Sequence, residues 1–400
     1  MRMKFAYSPK RANFLFWLLI CCLSYIFFGS MISVFSNSVP FKDVARFSIT
    51  CFGLYTIVSS MKLIANNKKG ILLLLVYFIL FTTLPTISSQ LDRNTFAYSM
   101  LSYSDSIMWV AVFFICYKIG YSKIDMVDNL KKIVWLIPVF FLLFIQVKNY
   151  FLINSDDVAL KSTAYYPLFM FPFVTMIENK WKQYIFMFLI LLTILFSVKR
   201  TGLLVFLILL CTYYYIKYIS QASFVKKVGY LLFSVFLGSV LLVLFSMLVE
   251  SLNIGIIDRL MNMKDDGGSG RDIVWEQTIS MIEKSDILEL LFGHGFNMVL
   301  YDSVLELSAH CDYLEVVYDY GIVGSFIYLL FYIKLFKYYR FIKRYQPEWR
   351  IPFILSFILV FSFSLTSHLI IYPTYFLFLC ILWGLMVGHC DNKQFYIHEK

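Results

Sequence analysis

Charge is scarce in this 400-residue sequence. Asp, Glu, Lys and Arg make up 15% of it, where a soluble domain carries roughly 25%. Hydrophobic residues make up 60%, and the mean hydropathy is +0.74. That leaves too little polar surface to face water, which excludes a string of soluble modules. Cysteine is limited to eight residues, Cys21, Cys22, Cys51, Cys116, Cys211, Cys311, Cys380 and Cys390. None forms a CxxC pair and most lie in apolar runs, which argues against a disulfide framework or a structural zinc site. They suit the role of small buried hydrophobes. No internal repeat is visible. His294, His310 and His368 match no metal-ligand spacing and have no Asp-x-Asp near them, so no metal or other cofactor is expected. The net charge of +10 does not point to nucleic acid, because what counts is where the basic residues fall relative to the apolar runs.

Apolar runs are what the sequence has in abundance. They fall near Asn13–Val34, Arg46–Ile64, Gly70–Ser88, Ser106–Ile119, Ile133–Val147, Ala164–Ile177, Tyr184–Val198, Thr201–Tyr218, Val228–Glu250, Gly321–Leu335, Ile351–Leu365 and Tyr372–Val387. A span needs about 20 apolar residues, so the expected fold is an all-α polytopic membrane protein of about twelve transmembrane helices. The first run follows Arg2, Lys4, Lys10 and Arg11. It is too long for a signal-peptide core and lacks a small-residue cleavage site, so it is expected to be a retained span. If the N-terminus is cytoplasmic, Lys62, Lys68, Lys69, Lys118, Lys123, Lys131, Lys132, Lys180, Lys182, Lys217, Lys226 and Lys227 share its side. So does the cluster Lys334, Lys337, Arg340, Lys343, Arg344 and Arg350. That excess sets the orientation, with both termini cytoplasmic. The division expected is residues 1–250 for spans one to nine, 251–320 for one large extracytoplasmic loop, and 321–400 for spans ten to twelve and a cytoplasmic tail. The loop is rich in Asp and Glu and carries apolar residues at helical spacing after Ser269 and after His310, so it should be partly helical.

Several polar residues stand out against this background. Lys199 and Arg200 lie between two apolar runs, on the external side in this orientation. They either snorkel from the ends of two spans or clamp a lipid phosphate at the outer leaflet. Ser269–Gly270–Arg271–Asp272 has the pattern of a helix start, and free backbone N–H groups beside the Arg271 guanidinium would suit a phosphate or diphosphate. Trp275 then suits a membrane interface. Gly293–His294–Gly295–Phe296 implies a tight turn. His310 is expected to open a helix over Ala309–Asp319, with Tyr313, Leu314 and Val317 on its face. Near a helix N-terminus its imidazole is favoured neutral and able to accept a proton; the alternative is a hydrogen-bonded interfacial histidine. Cys311 suits packing better than nucleophilic attack.

Taken in order, Val198–Lys199–Arg200–Thr201–Gly202, Ser269–Gly270–Arg271 with Trp275, Gly293–His294–Gly295–Phe296, Ala309–His310–Cys311–Asp312–Tyr313–Leu314 and Tyr320–Gly321–Ile322–Val323–Gly324 resemble the O-antigen polymerase and O-antigen ligase superfamily of bacterial envelopes. The resemblance implies a metal-independent glycosyltransferase in the inner, or cytoplasmic, membrane. Its donor and acceptor would be oligosaccharides on undecaprenyl diphosphate, in contact with membrane lipid, and the resemblance also implies a separate chain-length regulator as a partner. It implies catalytic roles for His310, Arg271 and Arg200, and the expected substrate contacts are Lys199, His294, Tyr313 and Trp275. The family often has Asn after its histidine, where this chain has Cys311. A polymerase that joins repeat units is the favoured expectation. A ligase to lipid A–core and a capsule or exopolysaccharide polymerase belong to the same class. A lipid-linked oligosaccharide flippase is the rival from another class, but it would keep its loops short and its charges within spans.

Overall fold

The computed structural model describes residues 40–60, 70–92, 96–122, 129–154, 164–197, 199–220, 267–371 and 374–397. The expected spans Asn13–Val34 and Val228–Glu250 lie outside them. All regular elements among the described residues are helical. The α-helices are α1 (Pro40–Ser59), α2 (Ile71–Asp92), α3 (Phe96–Ser122), α4 (Leu136–Asn154), α5 (Tyr165–Phe169), α6 (Phe171–Val174), α7 (Lys180–Ser197) and α8 (Arg200–Tyr214). They continue as α9 (Gly267–Lys284), α10 (Ile287–Phe292), α11 (Met298–Asp302), α12 (Asp312–Phe336), α13 (Tyr338–Tyr345), α14 (Arg350–Ser364) and α15 (Phe376–Ile397). Among the described residues, five segments are long and apolar enough to cross a membrane: Ile71–Ser89, Lys180–Ser197, Arg200–Ile219, Asp312–Tyr345 and Pro347–Ser364. Ser48–Ser59, Ile107–Ser122 and Phe376–Asn392 are shorter apolar helices. One expected span is corrected. Ala164–Ile177 is broken into α5 and α6 at Met170, and Pro172, which lacks an N–H, sits in the first turn of α6.

The chain divides into two compact units. One comprises Met1–Leu130, Arg271–Pro347 and Ser364–Lys400; the other comprises Lys131–Gly270 and Glu348–Phe363. In the first unit α3 packs between α1 and α15, and α12 packs on α2 and α10. The α3–α15 contact is backbone on backbone, since a Cβ on Gly388 would lie 2.1 Å from the Tyr117 carbonyl oxygen. Without a water-driven hydrophobic effect in lipid, such close approach is how membrane helices gain packing energy. Aromatic rings tie the helices together. Trp109 of α3 meets Phe78 of α2 at 5.5 Å, Phe331 of α12 at 5.5 Å and Phe376 of α15 at 5.6 Å between centroids. After α12 the short α13 buries Tyr338, Phe341 and Ile342 and exposes Arg340, Lys343 and Arg344, which suits a helix lying along a membrane face.

In the second unit α7 and α8 form a hairpin. Tyr213 donates its O–H to Gln183 Oε1 at 2.7 Å, and Gln183 Nε2 donates to the Val174 carbonyl at 3.1 Å. Lys217 also donates to the Tyr213 hydroxyl. These contacts sit at the end of the hairpin away from Lys199 and Arg200.

Helix α12 is two helical segments joined across a kink at Gly321, whose φ of 65° and ψ of −172° are not helical; the expected border between loop and span, at 320/321, falls beside this kink. A Cβ at Gly321 would lie 2.5 Å from the Leu291 carbonyl oxygen and 2.6 Å from the Gly293 nitrogen. Gly321→Ala therefore combines an unfavourable φ with a backbone overlap, and should cost about 2–4 kcal/mol. Thermal unfolding of the detergent-solubilised protein is expected to show a clear drop for this variant and little change for the exposed neighbour Ile322→Ala.

Candidate functional site

His310 does not open a helix. Helix α12 begins two residues later, at Asp312, with Cys311 as its N-cap in an extended conformation (φ −149°). His310 itself has φ 51°, a left-handed conformation that a non-glycine residue adopts only when its surroundings hold it there. The expected face with Tyr313, Leu314 and Val317 is therefore corrected. Tyr313 is 38% exposed in the first turn of α12, while Leu314 packs on Met298, Val299, Ala309 and Tyr318.

The peptide before His310 is pinned at both ends. Ala309 N–H donates to Glu315 Oε1 at 2.5 Å, and the Ala309 carbonyl accepts the Trp275 indole N–H at 2.8 Å. Trp275 thus anchors the histidine turn. Arg271 lies one helical turn before Trp275 on α9, so the two share a face. The break at Gly270 (φ 73°) immediately precedes it. The side chain of Ser269, expected as a cap, lies outside the described residues.

A second histidine completes the turn. The His310 ring stacks on His368 with centroids 4.4 Å apart and planes 30° apart. His368 is 5% exposed. Its Nδ1 is 3.7 Å from Glu315 Oε1 and its Nε2 is 3.4 Å from Ser308 Oγ. Burial, reinforced by the nearby positive charge of His310 and Arg271, pushes the His368 imidazole down to about 3, so it is neutral at physiological pH. The loop that carries it is held by Asp312. That carboxylate accepts the Ser364 hydroxyl at 2.7 Å and the N–H groups of Leu369 and Ile370 at 2.7 and 3.3 Å. Burial raises the Cys311 thiol, which disfavours the thiolate and any nucleophilic role.

The Gly293–Phe296 turn is a separate device. His294 and Gly295 donate their N–H groups to the carbonyls of Tyr318 and Asp319 at 3.0 and 2.8 Å. Phe296 N–H donates to Thr86 Oγ1 of α2 at 3.1 Å. Asp319 accepts the N–H groups of Asn297 and Met298 at 2.7 and 2.9 Å and so seats α11. The His294 ring stacks on Tyr318 at 4.0 Å, and its Nε2 is 3.3 Å from Glu289 Oε2. An open cleft of about 670 Å³ lies here, between Phe81, Leu84 and Ser88 of α2 and Leu288, Glu289 and His294. The structure therefore places His294 on the wall of a cleft and His310 on a buried histidine, rather than in one cluster.

Lys199 and Arg200 belong to the other unit. Lys199 occupies the N-cap position of α8, with its Nζ 5.8 Å from the Tyr165 ring centroid, and Arg200 is the first residue of the helix. Both are half-buried at the tight turn between two helices that are each long and apolar enough to span.

Residues 185–329 match the family model described as O-Antigen ligase. The match covers about a third of the chain and agrees with the resemblance carried by its motifs. No curated protein matches the chain. The matched segment contains Arg200, Arg271, Trp275, His294 and His310. With the apolar helices, this similarity fits a multi-pass membrane protein.

Four residues that hold these turns were not singled out as site residues from the sequence: Asp312, Glu315, Asp319 and His368. The first three had a legible signal. Acids at i, i+3 and i+7 lie on one face of a helix, and here that helix runs into a span, where buried charge is costly and seldom idle. His368 had none, because its partners are fifty residues away in sequence.

Two outcomes follow for this site. Trp275→Phe leaves the Ala309 carbonyl without its donor and should lower stability by about 1–3 kcal/mol, read as a drop in melting temperature. His368 titrates near 6.5 when unfolded and near 3 when folded, so below pH 6.5 the unfolded chain takes up a proton that the folded chain does not. The stability associated with this residue is full above pH 6.5 and is lost progressively as pH falls toward 3. In melting curves collected from pH 7 to pH 4, His368→Gln should flatten that decline; an unchanged slope would place its origin elsewhere.

Proposed function

We propose that this protein is an O-antigen polymerase. It would join oligosaccharide repeat units carried on undecaprenyl diphosphate, at the outer leaflet of the bacterial inner membrane, with both termini cytoplasmic. The observation that carries the reading is the pinned histidine turn with Arg271 beside it, within the matched segment. In the proposed reaction the acceptor hydroxyl oxygen forms a bond to the anomeric carbon of the donor sugar. The bond from that carbon to the diphosphate oxygen breaks, and its electron pair leaves with the lipid diphosphate. The hydroxyl proton passes to the His310 imidazole.

The chemistry asks two things of the chain. A base at His310 is worth about 10²–10⁴-fold in rate. A guanidinium stabilises the charge that grows on the departing diphosphate without needing a metal. Arg271 supplies it in the unit that holds His310, and Arg200 takes the same role from the resemblance. Lys199, His294 and Tyr313 are proposed substrate contacts, and a separate chain-length regulator is a proposed partner. The length of the chain and its modest loop favour the polymerase over the ligase, whose acceptor is lipid A–core.

Polymer length in a deletion strain decides the matter. Complementation with His310→Ala, Arg271→Ala or Arg200→Ala should abolish long polymer while protein levels in the membrane hold. One repeat still attached to core supports the polymerase, and loss of all attachment supports the ligase. Persistence of long polymer in His310→Ala would overturn the base assignment.

A further inference from the structure

We propose that His368 is a positioning residue for His310: a fixed, flat ring on which the His310 ring stacks and is aimed. The proposal rests on the reading of His310 as the base. His368 is held on every side. Its backbone carbonyl accepts the Tyr375 hydroxyl at 2.7 Å. The two peptides after it donate to Asp312. Its ring edge runs between Glu315 and Ser308. Glu315 links the two histidines, because one of its oxygens takes the Ala309 N–H just before His310 and faces His368 Nδ1.

His310 needs such support. Its left-handed φ costs about 1–3 kcal/mol, which local contacts must offset, and its side chain is only half-buried. The ring stack at 4.4 Å is a contact on the imidazole itself, whereas the bonds at Ala309 act on the backbone. Two stacked imidazoles cannot both hold a proton cheaply. Burial decides which one does not, so a proton taken from an acceptor hydroxyl stays on the outer ring.

The test uses the full-length protein in detergent, with melting temperatures checked. His368→Leu keeps the bulk and removes the flat ring, and His368→Phe keeps a ring. Diethyl pyrocarbonate at pH 7, with labelling read site by site by mass spectrometry, reports how freely the His310 imidazole is presented. The labelling rate of His310 should rise several-fold in His368→Leu and stay near wild type in His368→Phe. Equal rates in all three proteins overturn the proposal. The second readout is turnover of the lipid-linked glycan extracted from the deletion strain. The Leu variant should lose about 10²-fold in kcat at unchanged KM, as expected for a misaimed base, and the Phe variant should recover most of it. Wild-type kcat in the Leu variant also overturns the proposal. If the wild-type chain consumes none of this glycan while the labelling pattern holds, the transfer reading falls and the stacking geometry stands.

Discussion

Three buried carboxylates on one face of α12 hold the functional region together. Asp312, Glu315 and Asp319 recur at helical spacing and are all almost fully buried. Each accepts backbone N–H groups from a different segment. Asp312 takes Leu369 and Ile370, Glu315 takes Ala309, and Asp319 takes Asn297 and Met298. A buried backbone donor without a partner is costly, so the loops and the helix face specify each other. One helix thus seats three separate segments, and the kink at Gly321 separates this work from the apolar remainder of α12.

The chemistry depends on that scaffold. A base must be neutral before the reaction and correctly aimed during it. Around His310 the backbone is set by Glu315 and Trp275, and its ring stacks on His368. In the proposed reaction the Arg271 guanidinium would face the charge that develops on the departing diphosphate. The His294 turn uses the third acidic side chain to seat a different element, next to a cleft lined by both apolar and polar side chains.

Much of this was legible in the sequence. The helical, apolar character was, because apolar composition over about 20 residues has few other meanings; among the described residues five helical segments are long and apolar enough to cross a membrane, of the twelve spans expected. The Gly293–Phe296 turn was, because a side chain at either glycine would strike neighbouring backbone. The helix start at His310 was misplaced. Apolar spacing after His310 continued in register, but nothing in that spacing reports a left-handed residue followed by an extended cap. The break between α5 and α6 was missed because hydropathy does not see the lost proline donor.

By itself the sequence determined the apolar solvent, the helical class and the resemblance to the O-antigen polymerase and ligase superfamily, since each depends on composition or on residues close together along the chain. It also singled out His310 and Arg271 as candidates, because an ordered set of short motifs survives in one dimension. Only the tertiary structure decided what surrounds them. The partnership of His310 with His368, the pinning of Ala309 by Trp275 and Glu315, and the sharing of three loops by one acidic face join residues up to 58 positions apart. Such contacts are set by how helices fold back on one another, and no local pattern encodes them.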